Sequence, residues 1–499
     1  MTFQKHLKFS SRQFGLVLGP LLFLLTLRYL HPEGMSAEAN AILASTLWIA
    51  VWWISEAVPI PVTSLLPIVL FPLTGGLDLS STTAAFGHRL IFLYIGGFMI
   101  AIAIERWNLH RRIALRIIYL IGTNMSRIIL GFMVATAFLS MWISNTATSV
   151  MMLPIGMAII AQLEADPRMP IDTASSFGKA LMLAIAYSAS IGGVATLIGT
   201  PPNLVFAGVI QELYGIEITF SQWLLFGLPI SIVMLAICWR YLVGLAFPLQ
   251  DLAFPGGRAE IEIERQLKEL GPLSFEEKMV LAVFILTAFA WITRSFLLTR
   301  WLPGLDDTII AIMGAVLLFV LPARTLSGEK LLDWESAVKL PWGIILLFGG
   351  GLALAEGFKS SGLAIYIASQ MTLLQGVALI LLLLILIAAV NFLTEITSNV
   401  ATTSMILPIL APMALTIDVH PFTLMVGATV AASCAFMLPV ATPPNAVVFG
   451  SGYLRIPEMV KAGIWLNLIS IVLLTLYVYY GLGVLWGIEL GAYPPEMDR

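Results

Sequence analysis

Charge is scarce in this chain: Asp, Glu, Lys and Arg together supply 11% of 499 residues, where an ordinary globular domain carries about 25%. The deficit runs along the whole length, which excludes a soluble domain with a single anchor. With 59% apolar residues, the composition is that of a polytopic membrane protein. Cysteine is nearly absent as well. Cys238 and Cys434 both lie in apolar stretches without CxxC or His-paired spacing, so neither a disulfide nor a zinc site is expected. A net charge of -3 without a Lys/Arg block excludes nucleic acid as a partner. The five histidines are scattered, with His31, His88, His110 and His420 near the edges of apolar runs, and no nucleophilic or metal constellation forms. An enzyme is not expected, and no organic cofactor is implied.

What is present is a series of apolar segments long enough to cross about 30 Å of hydrocarbon. They fall near 14 to 30, 40 to 56, 61 to 74, 90 to 105, 178 to 211, 222 to 247, 278 to 298, 307 to 322, 341 to 357, 423 to 450 and 463 to 487. Lys5, Lys8 and Arg12 precede the first run, Arg28 sits late in it, and no small-x-small cleavage site follows. The first run therefore reads as an uncleaved span with a cytoplasmic N-terminus, in the cell membrane. Two further stretches, about 129 to 163 and 377 to 415, carry polar residues at their middles and read as re-entrant helical hairpins. Broken backbone at membrane depth is tolerated only where it faces protein or a water-filled cavity, so both polar tips should line a site. The expected fold is all-α: about eleven transmembrane helices plus two re-entrant hairpins.

The two polar tips are copies of one another. Ser144-Asn145-Thr146-Ala147-Thr148-Ser149-Val150-Met151-Met152-Leu153-Pro154 returns as Ser398-Asn399-Val400-Ala401-Thr402-Thr403-Ser404-Met405-Ile406-Leu407-Pro408. Ile95-Gly96-Gly97-Phe98 precedes the first copy and Phe348-Gly349-Gly350-Gly351 the second; the glycine pairs read as close-packing positions. After each hairpin comes Thr-Pro-Pro-Asn, at Thr200-Pro201-Pro202-Asn203 and Thr442-Pro443-Pro444-Asn445. Three elements in the same order indicate a duplicated unit. The linker after the first glycine pair holds Arg106, Arg111, Arg112, Arg116 and Arg127, whereas its counterpart holds only Lys359. By the positive-inside rule the repeats are inverted. The hydrophilic stretch of about 250 to 278, with Asp251, Arg258, Glu260, Glu262, Arg265 and Lys268, reads as a cytoplasmic connector.

Ser, Asn and Thr can donate to an anion or offer oxygen lone pairs to a hard cation. Proline doublets break helices, and half-helix N-termini favour anions while loosened carbonyls coordinate sodium. Neither hairpin core nor either TPPN segment contains Lys or Arg. A multiply charged anion bound there needs cations to balance it, so cation coupling is expected. Glu395 is the only ionisable residue of the second hairpin, but its repeat partner is Met141; a structural hydrogen-bonding role fits it better than coupling. Glu56 and Glu356, at span ends, read as structural too.

The paired SN motifs, the paired TPPN motifs and the run Thr394-Glu395-Ile396-Thr397-Ser398-Asn399 resemble the divalent anion sodium symporters, the family of dicarboxylate and citrate transporters, over nearly the whole chain. The resemblance implies homodimers in which a transport domain moves against a fixed scaffold in an elevator-like cycle. It implies one sodium site at Ser140, Ser144, Asn145 and the Gly199 backbone, and a second at Thr394, Thr397, Asn399 and the Ala441 backbone. Repeat alignment independently pairs Ser140 with Thr394. Substrate would lie between them, against Ser144, Asn145, Thr146, Ser398 and Asn399 and the Thr200-Pro201 and Thr442-Pro443 breaks. Val400 departs from the duplicated pattern, replacing the hydroxyl that Thr146 carries, and is expected to make the two carboxylate pockets unequal.

The expected organisation is scaffold at 1–89, a transport repeat at 90–211, scaffold and connector at 212–340, a second transport repeat at 341–450 and a C-terminal span at 451–499. The expected function is sodium-coupled import of a small dicarboxylate such as succinate, malate or fumarate. Alternatives within the fold are a sodium-independent dicarboxylate exchanger, a proton-coupled carrier, and a citrate or sulfate transporter; outside it, a membrane enzyme or a passive channel.

Overall fold

The computed structural model describes residues 11–122, 124–249, 258–325, 328–370 and 376–497; Lys5, Lys8, Asp251 and Asp498 lie outside them. The described residues form helices and no strand, apart from an isolated bridge between Pro322 and Lys330. In chain order, α1 (Ser11–Tyr29) and α2 (Ala37–Ser55) form an antiparallel pair, followed by the short α3 (Ile60–Thr63), α4 (Leu66–Thr74) and α5 (Leu79–Ala84). Next come α6 (Arg89–Arg106), α7 (Leu109–Ile121), α8 (Met125–Ser140), α9 (Asn145–Glu164), α10 (Ile171–Val194), α11 (Pro201–Tyr214) and α12 (Phe220–Tyr241). The second half holds α13 (Arg258–Glu269), α14 (Phe275–Thr293), α15 (Asp307–Val320), α16 (Trp334–Ala337), α17 (Trp342–Ser360), α18 (Leu363–Gln370), α19 (Leu379–Thr394) and α20 (Asn399–Thr416). The chain ends with α21 (Pro421–Ala432), α22 (Pro443–Phe449) and α23 (Ile456–Trp486).

Eight helices among the described residues are long and apolar enough to cross a membrane, and α9 and α20, the second arms of the two hairpins, are among them. The chain is an all-α polytopic membrane protein. Several expected spans are not single rods. The stretch 61 to 74 is split into α3 and α4; 178 to 211 and 423 to 450 are each divided, between α10 and α11 and between α21 and α22. Both breaks open before the proline doublet, after Val194 and after Ala432. Proline cannot donate the backbone bond and biases the residue before it out of the helical region; Thr200 (φ -138°) and Thr442 (φ -140°) are accordingly extended.

The bases of the two hairpins lie near opposite ends of α23. The 31-residue α23 is about 46 Å long at 1.5 Å per residue. Ahead of its first turn, the Tyr453 hydroxyl donates to Glu164 Oε2 (3.4 Å) at the base of the first hairpin. Beyond its last turn, the Tyr493 N–H donates to Asp418 Oδ1 (3.0 Å) at the base of the second, and the His420 N–H donates to the Leu490 carbonyl (3.1 Å). One rod thus carries both hairpin bases.

The glycine pairs are packing positions. A Cβ at Gly96 would lie 2.7 Å from Ala311 of α15, and one at Gly350 would lie 2.5 Å from the Ser64 carbonyl. Helix α6 packs chiefly on α15 and also on α14, and α12 packs on α10, α23, α8 and α14. The connector contains the amphipathic α13, which rests on α7 and α9. Arg112 of α7 clamps its far end: the guanidinium donates to both carboxylate oxygens of Glu277 (2.6 and 3.0 Å) and to the carbonyls of Gly271 (2.9 Å) and Leu270 (3.1 Å). A bidentate, buried pair of this kind fixes geometry as well as charge.

Candidate functional site

Both hairpin tips and both helix breaks meet at one cavity of about 800 Å³. Its wall includes Ser144, Asn145, Thr146, Gly199, Thr200 and Pro201 from the first half, with Thr397, Ser398, Asn399, Val400, Ala441, Thr442 and Pro443 from the second. All ten expected substrate-binding residues line it. Of the expected cation-site residues, Ser140 and Thr394 lie behind the tips, fully buried, and reach the cavity through the two asparagines.

The same turn is built twice. Each tip breaks its helix for four residues, and Ser144 and Ser398 occupy the N-cap positions of α9 and α20. Ser144 Oγ accepts from the Ala147 N–H (3.2 Å), a standard N-cap bond; Ser398 makes no such bond and keeps its hydroxyl for the cavity. Behind the first tip, Ser140 Oγ lies 2.6 Å from the Asn145 side-chain oxygen and donates to the Ala189 carbonyl (2.7 Å). Behind the second, Thr394 Oγ1 lies 2.7 Å from Asn399 Oδ1 and donates to the Ala432 carbonyl (2.9 Å). The repeat pairing of Ser140 with Thr394 is therefore a geometric equivalence.

At Asn145 the amide can face two ways. With its nitrogen turned inward it donates to Ser140 Oγ (2.6 Å), the Gly199 carbonyl (3.2 Å) and the Ala189 carbonyl (3.2 Å). With its oxygen inward, four oxygens converge with no donor to satisfy them beyond the Ser140 hydroxyl, an arrangement suited to a hard cation. Gly193 makes room for this amide, since a Cβ there would sit 2.6 Å from Asn145 Oδ1. Thr397 is oriented differently: its hydroxyl donates back to the Leu393 carbonyl (2.9 Å) and lies 2.5 Å from Thr402 Oγ1. The structure thus brings Thr394 and Asn399 together and turns the Thr397 hydroxyl toward its own helix. The Ala441 and Gly199 segments each border the cavity.

The unwound segments are held by the asparagine of each TPPN motif. Asn203 Nδ2 donates to the carbonyls of Gly193 (3.2 Å), Val194 (3.3 Å) and Thr196 (2.7 Å), and Asn445 Nδ2 to those of Ala435 (3.2 Å) and Leu438 (3.0 Å). Buried carbonyls released from a helix need such partners. The second half has an additional clasp. Glu395 accepts from the backbone N–H groups of Phe436 (2.7 Å), Met437 (2.9 Å) and Leu438 (3.1 Å) and from Asn467 Nδ2 (2.8 Å). In the first half, the break is tied instead by Thr196 Oγ1 donating to the carbonyl of Met141 (2.5 Å), the residue that replaces Glu395.

Several contributors carry no sequence signature. The Ala189 and Ala432 carbonyls are backbone groups, and Tyr94, Ile344 and Leu347 of α6 and α17 supply an apolar wall opposite the tips. Asn203 and Asn445 were visible as part of a repeated motif, without an indication of what they hold. Arg12 and Glu56, expected as a span flank and a structural span end, also line the cavity.

The helix ends around the cavity favour an anion. The N-termini of α9, α11 and α20, with that of the short α22, open on the cavity, and each longer helix presents roughly +0.5 charge at its N-terminus. Three such ends supply on the order of +1.5, short of balancing a dianion fully.

Residues 11–492 match the family described as the sodium:sulfate symporter transmembrane region. The chain is 49% identical over 482 residues to a sodium-dependent dicarboxylate transporter, SdcS, of Staphylococcus saprophyticus, covering 95% of this chain and 92% of the relative. It is also 49% identical over 495 residues to SdcS of Staphylococcus aureus strain bovine RF122, covering 98% and 94%. Among solved structures, it is similar in fold to MtrF of Neisseria gonorrhoeae, described with a class of antimetabolite efflux pumps (TM-score 0.57, 13% identity, 94% and 95% covered). A second likeness is to the YdaH transporter of Alcanivorax borkumensis, described as having an unusual topology (TM-score 0.58, 15% identity, 96% and 98% covered).

Proposed function

The chain belongs to the sodium:sulfate symporter family, and from that membership we propose that it is a secondary active transporter coupling sodium entry to the import of small dicarboxylates, of the size of succinate, malate or fumarate. Relatives that are 49% identical over almost the full length carry the name sodium-dependent dicarboxylate transporter. The observation that carries the reading is the duplicated oxygen cluster, Ser140 with Asn145 and Thr394 with Asn399, set on either side of a cavity onto which four helix N-termini open.

In this reading one sodium ion is held by Ser140, Ser144, Asn145 and the Gly199 carbonyl, with the Ala189 carbonyl close by. The other is held by Thr394, Asn399 and the Ala441 carbonyl, with Thr397 able to join by releasing Leu393. The dicarboxylate lies between, touching Ser144, Asn145 and Thr146 at one end and Ser398, Asn399 and Val400 at the other, with Thr200, Pro201, Thr442 and Pro443 at its sides. The cations supply the positive charge that the helix ends alone do not. By linkage, sodium tightens substrate binding and substrate tightens sodium binding by the same factor.

In this reading an elevator cycle moves the expected repeats, 90–211 and 341–450, past the expected scaffold at 1–89 and 212–340; α6, which packs chiefly on α15, favours the scaffold instead. The hairpins are re-entrant in this reading, the protein is a homodimer, and the arginine-rich end, with the N-terminus, faces the cytoplasm of a cell whose plasma or inner membrane it spans. The cavity mouth, bordered by Ser11 and Arg12, then opens inward.

The test is uptake of labelled succinate into liposomes holding the purified protein. An inward sodium gradient is compared with choline, with a proton gradient and with internal succinate. Sodium-driven accumulation that is lost in Asn145→Ala and Asn399→Ala is expected. Uptake that requires internal succinate makes the protein an exchanger, and equal succinate affinity in sodium and choline sinks the coupled mechanism.

A further inference from the structure

Among the described residues that line the cavity, the single Lys or Arg is Arg12. It is not there by accident of a loose terminus. Helix α1 is clamped to α2 through small residues: a Cβ at Gly15 would overlap Ser55 Oγ at 1.9 Å, and one at Gly19 would approach Trp48 at 2.7 Å and Trp52 at 2.9 Å. Close approach of this kind, at glycines four apart, fixes helix register. Arg12, one turn ahead of Gly15, is thereby set at the C-terminal end of α2, where its guanidinium meets Glu56 Oε2 at 3.2 Å.

Glu56 itself is held in an uncommon conformation. Its backbone is left-handed (φ 47°), which a side-chain-bearing residue other than Asn or Asp adopts at a cost. Strain of this kind accumulates at functional sites. The consequence here is that the carboxylate turns toward the cavity mouth and faces Arg12 instead of continuing the helix. Both side chains are more than half exposed, at 68% and 54%, so the pair contributes little to stability and either partner can be exchanged.

We propose that Arg12 is the dianion-selecting residue of the cavity mouth, exchanging Glu56 for a substrate carboxylate as the dicarboxylate enters or leaves. The inference rests on the dicarboxylate reading above. Arginine presents a planar fork of donors that matches a carboxylate. Glu56 engages one nitrogen of that fork, so a weakly held inorganic anion must displace a carboxylate to bind there. A dicarboxylate brings one of its own.

The magnitude follows from Coulomb's law. Even at a separation on the order of 10 Å in water, before the guanidinium touches the carboxylate, a guanidinium and a dianion attract enough to change affinity roughly three- to fourfold at low ionic strength and about 1.5-fold at 0.15 M salt, where the Debye length is about 8 Å, and this sets the lower bound. Calorimetric binding of succinate at fixed sodium, across a choline chloride series, reads both. Arg12→Gln is expected to weaken binding by at least about three- to fourfold at low added salt and to flatten the salt dependence. Glu56→Gln, which frees the guanidinium, is expected to tighten binding by a similar factor. The double variant Arg12→Gln/Glu56→Gln has the net charge of the wild type, and is expected to stay weaker than it because a partner is lost and not only a field.

Equal affinity in wild type and Arg12→Gln, loosened binding in Glu56→Gln, or wild-type affinity in the double variant would each overturn the assignment while leaving the transporter reading intact. Absence of sodium-dependent succinate binding in the wild type removes that reading and this inference with it. Loss of fold in Arg12→Gln leaves Glu56→Gln, with its opposite expected sign, to decide.

Discussion

Replacing Glu395 by Gln keeps the size of the side chain and removes one acceptor. In the native protein Oε1 accepts from Phe436, Met437 and Asn467, and Oε2 accepts from Leu438. A glutamine can place its oxygen where Oε1 stood and keep those bonds. Its amide nitrogen then faces the Leu438 N–H, donor against donor. One net bond is lost, and one half-buried N–H is left without its partner, together about 1–2 kcal/mol. At 1.4 kcal/mol per tenfold, the opening equilibrium of the 436–438 segment should rise roughly 5- to 30-fold. Amide hydrogen exchange in detergent reads this directly, because protection of those three amides tracks local opening. The first repeat is an internal control: its break at 193–196 is held by Asn203 and Thr196, and its protection should not move. Unchanged exchange at 436–438, or an equal loss in both repeats, would refute the clasp. Since Ala441 and Thr442 hang from the loosened segment, sodium dependence of succinate uptake should shift to higher sodium in the same variant.

Asn203→Ala strands the Gly193 carbonyl, while Val194 keeps the Trp223 indole N–H and Thr196 the Gly199 N–H, and should cost about 1–3 kcal/mol, seen as a lower melting temperature in detergent and lost uptake. Gly193→Ala should abolish uptake by driving a methyl into Asn145, whereas Gly97→Ala, whose Cβ would meet Ile198 at an ordinary 3.4 Å, should be tolerated. Arg112→Ala leaves the buried Glu277 carboxylate without its cation and should destabilise the protein by about 3–5 kcal/mol, measured by thermal unfolding. Val400→Thr restores the missing hydroxyl, and competition among succinate, malate and citrate should give a changed preference order. Asp333 caps α16, and bonds from Ser336 and then Arg106 hold its carboxyl below the ordinary aspartate range. Its contribution is full above that range and is lost as pH falls through the depressed value, so Asp333→Asn should flatten acid destabilisation below about pH 4.

The repeats made much of this site legible in the sequence. Polar residues that recur inside apolar surroundings have few reasons to be there, and Ser140 paired with Thr394 by register alone before any distance was known. The helix breaks were legible because proline has one physical meaning in a helix interior. What was hidden lay in backbone groups and in long-range contacts. The Ala189 and Ala432 carbonyls look like any other residue's. Glu395 finds its partners more than 40 residues on, at Phe436 and Leu438 and at Asn467, where sequence shows only apolar run. Thr397 shares the chemistry of Thr394, yet a one-turn difference points its hydroxyl at Leu393; type and spacing could not separate the two. Arg12 and Glu56 are 44 positions apart and meet only because Gly15 and Gly19 admit α2.

The length of α23 sets a limit on independence. With the first hairpin base tied near its start and the second near its end, the two hairpins share a single lever, and neither can be displaced far without carrying the other. On the proposed cycle, displacement of one tip then carries the other with it, without any relay of side chains between them. A proline placed at the middle of that lever would test whether the two halves of the binding site still arrive together.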